Sequence, residues 1–190
     1  MDKEEKMKDT TCSAAALRAT LKSQYHAALA MLRQSIDLCP DAIWAGDGHL
    51  TSSWQVAYHT LFFTHLYIQP NEQAFRAWEG QQSEVQYPDS IPGPPDPHSS
   101  LPVMPKPYTK AEVLAYWDFC DRMVDDAVDA LDLNSPESGF SWYKVSKVEH
   151  QIINIRHIQH GAAQLADRLR SAAGVGIDWV GGAKQVIPAG

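Results

Sequence analysis

The chain has 190 residues, 44% of them hydrophobic and 21% charged, as expected for one soluble globular domain with its own core. A net charge of −7 argues against nucleic acid and against anionic membrane surfaces as partners. The charged N-terminus and the lack of an apolar run of about 20 residues predict neither a signal peptide nor a membrane span. Three widely spaced cysteines, Cys12, Cys39 and Cys120, suit the reducing cytoplasm, so a cytoplasmic protein is expected.

Apolar residues that recur at steps of three and four predict the first two helices. The first helix carries an apolar stripe from Leu17 to Ile36 and ends before Pro40. The second runs from about 53 to 69 and is apolar on nearly every side, so we expect it at the centre of the fold.

A long connection separates the second helix from the third. Segment 70–108 holds most of the chain's 12 prolines, and regular helix or central strand is incompatible with that density. Connections of this length are often lids or binding loops, and a surface crossover is the alternative. The third helix opens at the capping-box pattern Thr109–Glu112, and the fourth runs from about 143 to 173, before Gly174.

Four long helices, one long crossover and the lack of an alternating strand pattern predict an all-α fold, a four-helix bundle. We expect a single domain over residues 1–190. Its first ten or so residues are expected to be flexible, and the segment from about 175 onwards is expected to be a loose tail.

The histidines of the second and fourth helices carry the functional prediction. At about 100° per residue, His157 lies at the border of the apolar stripe of its helix, beside Gln164, and His160 turns about 60° towards the polar side. Gly161 turns about 40° the other way, towards the core. His59 lies among apolar residues of the second helix and is either a hydrogen-bonded core histidine or a ligand. Metal sites in bundles are built from such groups on facing helices.

A fourth histidine lies on the same side of the last helix. His150 precedes His157 by two turns, or about 10 Å along the axis, which is too far to share one metal ion. We expect it to line the mouth of the pocket.

Two segments of the chain resemble the DinB/YfiT-like superfamily of metal-dependent enzymes. They are Trp54-Gln-Val-Ala-Tyr-His59-Thr-Leu-Phe-Phe and the segment from Asn154 through His157 and His160 to Gln164. The resemblance covers residues 14–180 and implies an up-down-down-up four-helix bundle. It also implies a divalent metal, most often zinc or nickel, held by three histidines. His59 and His157 match two of the ligand positions, and the third falls on Gly161.

The resemblance implies a metal-dependent enzyme, a thiol S-transferase or a hydrolase, that acts on a small molecule or a thiol. Related proteins include thiol-dependent S-transferases and a mycothiol-dependent isomerase, in which the metal lowers the pKa of a bound thiol. Because Gly161 replaces a ligand, the metal is expected to bind weakly or not at all, unless His160 completes the site. The alternative is a metal-free bundle that serves as a small-molecule-binding or dimeric interaction protein. A homodimer is considered because dimerisation is common among such bundles.

Overall fold

The computed structural model describes residues 13–46, 51–82, 85, 106–183 and 185–187. The chain is mostly helical, as predicted. Its elements are α1 Ala14–Asp37, α2 Asp41–Trp44, α3 Ser53–Tyr67, a 3-10 turn Glu72–Ala74, α4 Lys110–Ala130, α5 Lys147–Ala173, β1 Trp179–Gly182 and β2 Gln185–Ile187. None of the helices in these ranges combines the length and apolarity that crossing a bilayer requires.

The ends of the long helices follow from local sequence. The backbone N–H of Glu112 donates to the Thr109 side chain, and the Glu112 carboxylate accepts from the Thr109 backbone at 2.7 Å, which confirms the predicted capping box of α4. At the start of α5, the side chain of Ser146 accepts from the third residue of the helix. Gly174 ends α5 with a φ of +67°, a left-handed conformation that glycine adopts without a steric penalty.

Helices α1, α3, α4 and α5 share one hydrophobic core, and α3 is buried on nearly every side, as its sequence predicts. Helix α3 runs antiparallel to α5. Asn154 of α5 donates to the backbone carbonyl of Thr64, and near the other end of the pair Arg168 donates to the Ser53 hydroxyl at 3.2 Å. The buried Asn154 also donates to the hydroxyl of Tyr25 on α1, so polar contacts as well as packing fix the position of α5.

The segment after residue 175 differs from the expected loose tail. It forms the antiparallel β1–β2 hairpin, and β1 packs against α1. Gln34 of α1 accepts from the backbone N–H of Asp178 at 2.9 Å and donates to its carbonyl. The strands have only four and three residues, too few for the alternation from which a strand is predicted. The expected flexible N-terminal residues lie outside the described part of the chain.

Both described ends of the proline-rich crossover are fixed to the core. Trp78 stacks on Tyr116 of α4, with ring centroids 4.5 Å apart. The hydroxyl of Tyr108 donates to the carbonyl of Gly80 at 2.7 Å and accepts from the backbone N–H of Gln82. The sequence leaves open whether segment 70–108 is a lid or a surface crossover, and most of that segment lies outside the described residues.

Candidate functional site

Two imidazole rings meet between α3 and α5. The ring centroids of His59 and His157 are 5.1 Å apart, with an angle of 68° between the ring planes. Phe63 contacts both rings: its ring centroid lies 4.8 Å from that of His59 and 5.8 Å from that of His157. Both histidines are half-buried, and His59 is therefore more exposed than its apolar neighbours in sequence predict. The antiparallel packing of α3 on α5 brings together two residues that are far apart in sequence.

These two histidines lie in the wall of a cavity of about 180 Å³. The predicted residues His160, Gly161 and Gln164 line the same cavity. Four further lining residues were not predicted from the sequence: Thr51, Val56, Thr60 and Arg168. Arg168 could have been found, because it follows Gln164 by four residues on the same face of the helix.

The protonation of His157 follows from its position. Burial, together with the nearby His59 and His160 imidazoles, lowers the pKa of His157 to about 4. Its Nδ1 atom is buried and has no hydrogen-bond partner among the described residues. At neutral pH, His157 is therefore a neutral imidazole, the form in which histidine binds metals.

The separation of the two ring centroids is compatible with one shared metal ion. With metal–nitrogen bonds of about 2.0 Å and a tetrahedral angle, two imidazoles on one ion have ring centroids roughly 5 Å apart. The separation of His59 and His157 agrees with that value. His160 is exposed and lies towards solvent, on the side that helical geometry predicts. Within the described ranges, no group of three or more histidine, cysteine, aspartate or glutamate side chains is placed to hold a metal ion.

Gly161 permits a close approach between α5 and α3. A Cβ atom added at Gly161 would overlap Oγ1 of Thr60 and would lie 2.9 Å from its Cγ2 and 3.0 Å from its Cβ. The Thr60 hydroxyl donates to the carbonyl of Val56 at 2.8 Å, and Thr60 is almost completely buried. The space that a side chain at 161 would need is therefore occupied by Thr60 from the facing helix, and an imidazole at 161 requires Thr60 to move.

His150 lies outside this cavity, in contrast to the prediction that it lines the mouth. It is fully buried against Tyr67, Phe140 and Tyr143, whose ring centroids lie 4.8–5.0 Å from its own. Neither ring nitrogen has a hydrogen-bond partner among the described residues, and burial lowers the pKa of His150 to about 4. The loop between α4 and α5 covers this side of the helix, and the sequence gives no indication of that contact.

A larger cavity, of about 460 Å³, lies in the loop between α4 and α5, where it is lined by residues of the segment 136–145. None of its described lining residues is a histidine, and all of them come from one loop. The smaller cavity is the better candidate because two helices contribute potential metal ligands to it.

Comparisons with protein-family models, with curated proteins and with solved structures give no match to this chain. The resemblance to the DinB/YfiT-like superfamily therefore depends on the two sequence segments that contain His59 and His157.

Proposed function

We propose that this chain is a metal-dependent enzyme of the DinB/YfiT-like type, a thiol S-transferase or a hydrolase of the cytoplasm. Its divalent metal, zinc or nickel, is held by His59 and His157. The observation that carries the proposal is the 5.1 Å separation of these two rings across α3 and α5 in the wall of one cavity. The neutral state and the unpartnered Nδ1 of His157 support the same role.

The helix directions support a bundle of the up-down-down-up type. Tyr25 of α1 bonds to Gln151 of α5, and near the other ends of the same helices Ser35 bonds to the carbonyl of Ala162, so α1 and α5 are parallel. The salt bridges between α1 and α4 join the start of one helix to the end of the other, so these two helices are antiparallel. The contacts of α3 with α5 show the same antiparallel arrangement. A long crossover between α3 and α4 is what such a topology requires.

The side chains around the rings define what the chain contributes to the chemistry. When bound, a divalent metal supplies a positive charge that lowers the pKa of a thiol or a water molecule. Phe63 packs against both imidazoles, and Val56 contributes an apolar side chain to the lining of the cavity. His160 is exposed and lines the same cavity, so its imidazole is accessible from solvent.

Metal binding by variants tests the proposal. The protein is purified without a metal column, its metal content is measured by mass spectrometry, and its zinc affinity is measured by chelator competition. His59→Ala and His157→Ala should each lower the zinc affinity at least tenfold, because one of two imidazole donors is lost. His26→Ala, a matched control on the α1–α4 side, should leave it unchanged. Zinc affinity that is the same in all four proteins would refute the proposal.

A second candidate function is the binding of a small molecule without a metal. The observation in its favour is that Thr60 occupies the space in which the third ligand of the family pattern would lie. Two imidazoles alone bind a metal less tightly than three. A protein without zinc affinity that still binds small ligands in this cavity would establish the second function.

A further inference from the structure

Between α1 and α4, one histidine has a carboxylate at each of its two ring nitrogens. Nδ1 of His26 lies 2.7 Å from Oδ1 of Asp121, and Nε2 lies 3.2 Å from Oδ1 of Asp125. The two aspartates are one turn apart on α4, so their side chains share one face of that helix. The side chains of His26 and Asp121 are only 28% and 30% exposed. The imidazole of α1 therefore lies between two acceptors of α4.

This arrangement requires a proton on both ring nitrogens. A carboxylate only accepts hydrogen bonds, and a neutral imidazole has one N–H donor and one nitrogen that only accepts. A neutral His26 would therefore bond to one aspartate and turn a lone pair towards the other. The imidazolium donates to both, and the 2.7 Å contact has the length of a charge-assisted hydrogen bond. The geometry thus indicates a protonated His26 in the folded chain.

The charges around the ring favour the same state. Among the described residues, the charged groups that act on His26 are Asp121 and Asp125, and none of them belongs to α5 or β1, which also pack on α1. The flanking ion pairs of the same interface use other aspartates of α4: Lys22–Asp129 and Arg33–Asp118. Burial opposes a charge on the ring, but the two carboxylates outweigh it and hold the pKa of His26 above its ordinary value of 6.5.

We infer that His26 is a proton-dependent link between α1 and α4: the protonated ring holds both aspartates, and loss of the proton releases one of them. The inference is independent of the proposed metal site, which lies between α3 and α5. Because the pKa of His26 is raised on folding, its contribution to stability is complete below the unfolded value of 6.5 and is lost as pH rises through the folded value. The folding equilibrium constant should fall tenfold for each unit by which the folded pKa exceeds 6.5.

Nuclear magnetic resonance observes the proton on the ring directly. Long-range ¹⁵N–¹H spectra of the native protein, with the His26 signals assigned by their absence in His26→Gln, are recorded from pH 5 to pH 9. Both nitrogens should carry a proton at pH 6.5, and the titration midpoint should lie above 6.5. A midpoint at or below 6.5 would overturn the inference.

Urea unfolding at pH 6 and pH 9 measures the effect on stability. The ratio of the folding constants of the native protein and His26→Gln should be larger at pH 6 than at pH 9, because glutamine does not titrate. Lys22→Gln is the matched control: it removes a neighbouring ion pair whose lysine stays charged across this range, so it should keep the pH dependence of the native protein. A native protein whose ratio to His26→Gln is the same at both pH values would contradict a proton-dependent link.

An amide at position 125 separates the link from a general effect of charge. In Asp125→Asn, the new amide can donate to the ring nitrogen that has lost its proton, while the other nitrogen still donates to Asp121. This variant should therefore titrate at a lower pH than the native protein and lose less stability between pH 6 and pH 9. Asp126→Asn removes the same charge from the next, exposed residue and should retain the native behaviour. Equal pH dependence of the two variants would overturn the inference.

Discussion

Replacement of Gly161 by alanine tests the close approach of α5 to α3. At an ordinary helical position this change stabilises a protein by about 1 kcal/mol, because glycine is the poorer helix former. Here the new methyl group meets two branches of Thr60 at once, so rotation of that side chain exchanges one overlap for the other. Overpacking of a buried contact costs about 1–3 kcal/mol. The tight geometry places the cost in the upper part of that range, and the expected net destabilisation is about 1–2 kcal/mol.

Urea unfolding measures the effect. With a slope of about 2 kcal/mol per M, the midpoint should fall by about 0.5–1 M at an unchanged slope. Ala163→Gly, at the exposed residue two positions later, measures the contribution of helix propensity to the free energy of unfolding at a site without a contact like that of Gly161 with Thr60. In a Thr60→Ala background both branches are absent, and only the Cβ atom of residue 60, at 3.0 Å, stays close. This remaining contact offsets the gain in helix propensity, so Gly161→Ala should become nearly neutral there and give a coupling energy of about 1–2 kcal/mol. A Gly161→Ala protein that is more stable by the amount Ala163→Gly costs would refute the close-approach reasoning.

Three further predictions follow from the buried groups. His150→Phe should raise the stability at pH 7, because it removes two buried nitrogens without described partners. Burial lowers the pKa of His150 from its ordinary value of 6.5 to about 4, so the native protein loses stability as pH falls from 6.5 towards 4, by at most about 1.4 kcal/mol per pH unit. Urea titrations across that range should show a smaller loss in His150→Phe. Lys147→Met should lower the free energy of unfolding by about 2 kcal/mol or more, since Nζ of this buried lysine donates to two backbone carbonyls. Equal melting temperatures for Lys147→Arg and Lys147→Met would argue against a role for these hydrogen bonds. Gly161→His alone should not raise zinc affinity in chelator competition, whereas the same change combined with Thr60→Gly should; a gain from the single change would show that Thr60 moves freely.

The sequence predicted the parts of the fold that depend on local pattern. Helix α3 is buried on nearly every side because it has almost no polar face, and Thr109 caps α4 because its hydroxyl and the Glu112 carboxylate satisfy each other's backbone donors. The facing of His157, His160 and Gly161 also follows from the helical period alone, and their burial agrees with it.

What the sequence could not predict depends on contacts between distant residues. The lack of space for a side chain at 161 comes from Thr60, which lies about a hundred positions before Gly161 and meets it only because α3 and α5 are antiparallel. His150 has the spacing of a pocket residue, but the loop that contains Phe140 covers it. The β1–β2 hairpin is stabilised through contacts with α1, and its own strands are too short to be recognised.

X-ray absorption spectroscopy of the protein loaded with one equivalent of zinc tests the central claim most directly, because it counts the imidazoles bound to the metal. The proposed site predicts two imidazole ligands in the native protein, one in His157→Ala and two in His160→Ala. A native spectrum without imidazole ligands, or one that His157→Ala leaves unchanged, would contradict a metal site between α3 and α5.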